Sequence, residues 1–347
     1  MSARAPLVIG ADVGGTTTKL ALASFESGTP RLLGRENYPS QQFASLELVI
    51  EAFLSETAVA PFARSIAGAC FAVAGPVEHG RASLTNLPWR PDEMEIARRF
   101  GFPRVRMVND FAAAGHGIAY LSGNDLLTLQ AGHPMEHEPR VVVGAGTGLG
   151  VATLDWDDTA WEVHPSEAGH TDFAPIDALQ DQLLCFLRTR FGRVSYERVI
   201  SGPGLPRIVE FLESNGNALR SPVLAAAMRT GDAAKAITEC ALSKRDDLAV
   251  RALDIFASAY GAFAGNMALA TLAHGGVYIA GGIAPQIADK LLDGTFMGAF
   301  AAKGRFQKLL RAVPVYVVMN NQVGLYGALA EAARAAVSAG VGDAGTL

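Results

Sequence analysis

Two apolar runs open the chain, Leu7 to Gly10 and Thr16 to Ala23, with Val13-Gly14-Gly15 between them. A glycine turn between two β runs predicts a hairpin, so strand meets strand here without an intervening helix. Leu46 to Val59 then carries apolar residues at helical spacing. Ser65 to Val73 is a nearly continuous apolar run ending at Gly75-Pro76, and Arg104 to Val108 is a further strand entering Asn109-Asp110. Phe111 to Tyr120 continues as a helix. Strands first, then helix and strand in alternation, predict an α/β lobe with a mixed sheet.

The pattern restarts near residue 140. Arg140 to Val143 enters the turn Gly144-Ala145-Gly146-Thr147-Gly148-Leu149-Gly150 and leaves along Val151 to Leu154. Two strand, glycine turn, strand units in one chain predict two lobes of similar design. Helical, charge-mixed sequence from about 178 to 251 is expected as an insertion in the second lobe. Val277 to Ala280 and Val313 to Met319 are late strands. Leu325 to Ala336 is a late helix expected to pack back on the first lobe, with a Gly- and Ala-rich tail after Ser338 that should fray. Ile255 to Pro285 lacks Asp, Glu, Lys and Arg over a length that could span a bilayer. Glycines, Asn266 and His274 interrupt it and no comparable second span exists, so it is expected as a buried core helix, about Asp254 to Ala273.

Composition narrows the function. A length of 347 residues favours two domains with a cleft between them. Twenty-nine basic against thirty-four acidic residues give a net charge of −5, and no Lys or Arg block offers a surface for phosphate backbones, so neither nucleic acid nor a membrane is an expected partner. Cys70, Cys185 and Cys240 are too far apart for a CxxC metal site, and their odd number suits a reducing cytoplasm. The run Leu7 to Ala11 is cut short by Asp12, below the length of a signal-peptide core.

The candidate chemistry sits where strands end. In Asp12-Val13-Gly14-Gly15-Thr16-Thr17-Thr18-Lys19 the glycines allow close approach to a phosphate, the hydroxyls can donate to it, and Asp12 could hold Mg²⁺ through water. An ordinary hairpin turn would need the same glycines. The loop Gly144 to Gly150 does not meet the GxGxxG spacing of dinucleotide folds. Asp110, at the end of a strand, is either the N-cap of the following helix or a general base. Glu167-Ala168-Gly169-His170 is a polar loop suited to hydrogen bonding a polyhydroxylated ligand, or simply a solvated one. Glu197 fits the first turn of a helix capped by Ser195, a segment that Ser201-Gly202-Pro203-Gly204 would end. Gly281-Gly282 offers either a flat surface for a nucleoside or a sharp turn. His116 and His274 have a structural reading.

Taken in order, these pieces resemble the bacterial glucokinases without a zinc motif, in the actin and sugar-kinase superfamily. The likeness spans about residues 7–337. It rests on Asp12 to Thr16, Val108-Asn109-Asp110-Phe111, Gly144 to Gly150, Glu167 to Pro175, Glu197 to Leu205 and Tyr278 to Ile283. The resemblance implies a two-lobed actin-like, ribonuclease H-like α/β fold with mixed sheets and a cleft. The expected small lobe is 1–115 plus about 320–347, and the large lobe 116–319. It further implies ATP-dependent phosphorylation of D-glucose at the 6-hydroxyl, the entry step of glycolysis, in a cytoplasmic homodimer. Asp110 would be the base, and Asn109, Glu167, His170 and Glu197 would hold other hydroxyls. Asp12, Val13, Gly14, Gly15 and Thr16 with Gly146, Thr147 and Gly148 would grip the phosphates of ATP with Mg²⁺, and Gly281 and Gly282 would lie by the adenosine. The sister family carries a Cys-rich zinc loop after its Glu-x-Gly-His; this chain does not, so no zinc site is expected. The alternatives are a kinase for mannose or an N-acetylhexosamine, and a non-catalytic sugar sensor. The start of the first strand near residue 7 speaks against a regulator with an N-terminal helix-turn-helix.

Overall fold

The computed structural model describes residues 5–26, 28–84, 86–216 and 219–342. They form two compact units, one of residues up to 122 together with those from 322, the other of 123–321.

In the first unit β1 (Leu7–Val13), β2 (Thr17–Glu26) and β3 (Thr29–Pro39) make an antiparallel meander, and β4 (Ile66–Val73) joins parallel to β1. A small hairpin of β5 (Val77–Glu78) and β6 (Arg81–Ala82) follows. Then β7 (Val105–Asn109) completes the five-stranded sheet in the order β3-β2-β1-β4-β7. Successive strand residues face opposite sides, so the runs feed two cores at once. Ile9, Ala11, Val13, Leu22, Phe71 and Val73 pack against Val49, Ile50 and Phe53 of the helix Leu46–Leu54. Val8, Ala21, Cys70 and Ala72 pack against Leu325, Ala328, Leu329 and Ala332 of the helix Val323–Gly342. That helix lies so close to β1 that a Cβ on Gly10 would sit 2.6 Å from Leu329 Cγ.

The second unit has a six-stranded sheet. Its strands are β8 (Leu126–Gln130), β9 (Arg140–Ala145), β10 (Leu149–Trp156), β11 (Trp161–Ser166), β12 (Gly276–Ala280) and β13 (Val315–Val318), in the order β11-β10-β9-β12-β13-β8. Once more an antiparallel meander, β9-β10-β11, is extended by strands parallel to its first member, β12 and β13. The helix Asp247–Thr271 lies in the core of this unit, and 78% of its most apolar stretch is buried. It is long and apolar enough to cross a membrane, but Phe256, Tyr260 and Phe263 pack within the unit's core. The Tyr260 hydroxyl donates to the Val143 carbonyl at 3.2 Å and accepts from Ala145 N–H at 3.2 Å.

Several boundaries differ from expectation, each for a local reason. The long helix starts at Asp247, a full two turns before Asp254, because Asp246 caps it by accepting from Ala249 N–H. Glu197 lies in a single 3-10 turn, Tyr196–Arg198, and Ser195 makes no side-chain cap bond. Gly204 does not end a helix but opens one, Gly204–Ser214, and is packed so closely that a Cβ there would lie 2.1 Å from the Val199 carbonyl oxygen. The last helix continues to Gly342 rather than fraying from Ser338; residues 343–347 of the expected tail lie outside the described residues. The strands β3, β8 and β11 are additions to what the sequence pattern predicts.

Candidate active site

In the first unit the β1-β2 turn leaves the sheet at Asp12 and Val13. Gly14 N–H donates to the Thr17 carbonyl at 3.1 Å, closing the turn over Gly15 and Thr16. Ser40, at the end of β3, bolts it from below: its hydroxyl donates to the Gly14 carbonyl at 2.7 Å and pairs with the Thr18 hydroxyl at 2.9 Å, and its N–H donates to the Thr16 carbonyl at 2.9 Å. Oδ2 of Asp12 accepts from Lys19 Nζ at 3.0 Å, across a register pair of the hairpin. Asp12 and the turn therefore form a pre-shaped polar edge with backbone amides, hydroxyls and one carboxylate.

At the end of β7 the structure separates two roles that the sequence left on one residue. Asn109, not Asp110, is the N-cap of the helix Asp110–Gly117: its Oδ1 accepts from Phe111 N–H at 2.9 Å and from Ala112 N–H at 3.4 Å. Asp110 is the first helical residue, half-buried, with Oδ1 3.0 Å from Phe111 N–H. With Oδ1 of Asn109 committed to the helix, its Nδ2 is the end of the amide left to donate outward.

In the second unit Glu167, His170, Glu197 and the β9-β10 turn come together. His170 Nε2 lies 3.8 Å from Glu167 Oε2 and 3.9 Å from Glu197 Oε2. Oε2 of Glu197 also accepts from Leu149 N–H at 3.1 Å. Gly169 makes the approach possible, since a Cβ there would meet the Leu149 carbonyl oxygen at 1.9 Å. The turn itself is closed by Gly146 N–H donating to the Gly148 carbonyl at 2.8 Å, and held by Gly202 N–H donating to the Gly146 carbonyl at 2.7 Å. Gly281, at φ 83°, and Ile283, whose N–H donates to the Ala145 carbonyl at 3.2 Å, bring the Gly281-Gly282 corner against the same turn. Two carboxylates and an imidazole beside one another, with Glu167 and His170 mostly exposed, suit a ligand rich in hydroxyl groups.

Arg193 was absent from the sequence reading. Its Nε pairs with Asp172 Oδ1 at 2.7 Å, and its guanidinium also donates to the His170 carbonyl. Ser40 was missed as well. Neither has a local signature, because each acts on a segment more than twenty residues away. For Mg²⁺, the donor set fits: a single carboxylate, Asp12, completed by phosphate oxygens and water, is the pattern this ion accepts.

Comparison with known proteins agrees on one family. A glucokinase family model matches residues 9–335. The glucokinase of Nostoc sp. strain PCC 7120 is 42% identical over 342 residues, covering 94% of this chain and 99% of that relative. A solved glucokinase from an Antarctic psychrotroph is similar at a TM-score of 0.81 and 31% identity, over 94% of this chain and 99% of that one. The glucokinase of Balamuthia mandrillaris, solved in complex with glucose, shares the fold at a TM-score of 0.77 and 22% identity, over 95% of this chain and 94% of that one.

Proposed function

The chain belongs to the glucokinase family, and on that premise we propose that Asp110 is the base of its reaction. The fold is the actin-like α/β fold of sugar kinases. The reaction is ATP-dependent phosphorylation of D-glucose at the 6-hydroxyl, giving glucose 6-phosphate at the entry to glycolysis. Phosphoryl transfer asks a protein mainly for positioning and for charge neutralisation, with a base at the attacking oxygen.

The cap on Asn109 carries the assignment of Asp110. Asn109 supplies the cap, so Asp110 is not needed for that role; its carboxylate stands in the first helical turn at the end of β7, with Oδ1 accepting from Phe111 N–H. Asp110 accepts the proton of the 6-hydroxyl as the oxygen attacks the γ-phosphorus and the bond from that phosphorus to the β-γ bridging oxygen breaks, releasing ADP. Asn109 Nδ2, Glu167, His170 and Glu197 hold the remaining hydroxyls. The turns Val13 to Thr16 and Gly146 to Gly148 receive the phosphates on amides and hydroxyls other than Gly14 N–H and Gly146 N–H, which close the turns, and Gly281-Gly282 flanks the adenosine. Asp12 is the carboxylate that would hold Mg²⁺, which when bound would offset phosphate charge. A homodimer in the cytoplasm completes the reading, supported by the family resemblance and by three free thiols.

The test is ADP release from Mg-ATP with glucose, mannose, N-acetylglucosamine and no sugar, run beside Asp110→Ala. The expected result is glucose-dependent release, with kcat falling by at least about 10² in the variant while glucose affinity changes much less. Near-normal turnover by Asp110→Ala would refute the assignment.

A further inference from the structure

Behind the sugar-binding carboxylates of the second unit lies a cation with neutral partners. Lys303 follows the helix Thr295–Ala301, and its half-buried ammonium donates to the Ala262 carbonyl at 3.0 Å and to Asn266 Oδ1 at 2.7 Å. No ion pair with a carboxylate is found for it among the described residues, and burial pushes its pKa down. Holding a desolvated cation on neutral oxygens is costly, and an apolar side chain of the same length would serve packing alone better. The arrangement calls for a second role.

That role follows from what Lys303 does to Asn266. An amide side chain can present either end, and an ammonium can only donate, so Lys303 holds Oδ1 and turns Nδ2 the other way. Nδ2 then donates to the Tyr196 hydroxyl at 2.9 Å. Tyr196 is buried, its ring edge-on to Phe173 with centroids 5.5 Å apart and against Phe263 at 4.5 Å. Its backbone joins both halves of the sugar cluster: its N–H donates to the carbonyl of Thr171, next to His170, at 3.0 Å, and its carbonyl accepts from Val199 and Ile200 N–H across the turn that carries Glu197. Glu197 is the very next residue, so the depth at which the tyrosine ring is tethered sets where that carboxylate meets Leu149 N–H and His170.

We propose that Lys303 is a positioning residue for sugar binding, fixing Glu197 and the adjoining His170 segment through Asn266 and the Tyr196 hydroxyl. This rests on Glu197 being a sugar ligand, as read above. If Lys303 leaves, Asn266 can turn its oxygen toward Tyr196, and the tether loses its direction.

The experiment measures steady-state kinetics with glucose and with ATP, and melting temperature, for Lys303→Met, Asn266→Asp, Tyr196→Phe and Glu197→Gln. Met keeps the length of the side chain and removes the charge; Asp keeps the shape of Asn and a partner for Lys303 but removes the donor to Tyr196. Each of the first three is expected to raise the glucose KM by about 5- to 20-fold, with kcat within about twofold and a smaller rise in the ATP KM through the turn that Glu197 braces, a split that general loosening of the fold would not produce. Should Lys303→Met fail to fold, Tyr196→Phe, which removes one oxygen, carries the same expectation. Lower melting temperatures with an unchanged glucose KM in these variants, while Glu197→Gln raises it about 10-fold or more, would overturn the positioning role and leave the sugar site standing. An unchanged glucose KM in Glu197→Gln would overturn the ligand reading itself, and the inference with it.

Discussion

The turn between β1 and β2 is held by its own meander: Ser40, at the far end of β3, reaches Gly14, Thr16 and Thr18 with side chain and backbone. The turn between β9 and β10 has the same place in its sheet, but its braces come from elsewhere in the unit. Gly202 holds the Gly146 carbonyl, Glu197 holds Leu149 N–H, and Gly169 and Gly281 press against its ends. The first turn's hydrogen bonds to Thr17 and Ser40 thus come from its own three strands, with Asn86 packed against Gly15 as a contact from outside the meander. The second exists in its observed shape only when the segments bearing Glu197 and His170 are seated. On the reading given above, phosphate binding by the second turn is therefore tied to sugar binding, whereas the first turn is not.

The sharpest way to break this contrast is Gly148→Ala. Its new Cβ would lie 2.6 Å from Glu197 Oε2, the free end of a side chain that can swing away but would then lose Leu149 N–H. We expect glucose kcat/KM to fall by about 10- to 100-fold with the ATP KM also raised and little change in melting temperature, read by steady-state kinetics and calorimetry. A loss confined to ATP would show that the second turn is independent of the sugar residues. The reciprocal case is Ser40→Ala, which removes the hydroxyl's bonds to Gly14 and Thr18. The ATP KM should rise by about 3- to 10-fold and stability fall by about 1–2 kcal/mol, with glucose binding unchanged; a parallel rise in glucose Kd would erase the contrast.

The smallest effect concerns the first unit's buried ionisable cluster. His116 Nε2 lies 3.3 Å from Glu331 Oε1, with Arg334 Nε 3.0 Å from the same oxygen. Burial lowers the pKa of His116, Arg334 adds to the lowering, and Glu331 only partly opposes it. The unfolded chain therefore takes up a proton that the fold resists, so stability is complete above the unfolded histidine value of about 6.5 and declines as pH falls through it. His116→Asn should flatten the denaturation midpoint between about pH 5 and 7, an effect of about 1 kcal/mol or less. A steeper pH dependence in that variant would contradict the sign.

Both glycine turns were legible because a glycine cluster between apolar runs is local chemistry. The strands β3 and β11 were not, because most of their residues are exposed and their place is set by the register with β2 and β10 rather than by their own hydrophobicity. At the candidate site the order of residues revealed the family but not the division of labour. Asn109 and Asp110 both fit a helix cap by composition, and only the hydrogen bonds to Phe111 and Ala112 decide between them. Ser40, Arg193 and Lys303 gave no signal for the same physical reason: each acts on a partner that folding, and not the chain, makes its neighbour.

The packing of Val323–Gly342 on β1, with Leu329 almost touching Gly10, also fixes an order of assembly. A growing polypeptide usually completes its domains from the N-terminus onward. Here the sheet begun at Leu7 waits, one apolar face uncovered, until the whole of 123–321 has emerged from the ribosome. The unit translated second can finish first. A nascent chain stalled before residue 322 would present Val8, Ala21, Cys70 and Ala72 to solvent or chaperone, and separately expressed halves would need the helix returned in trans to close the first unit.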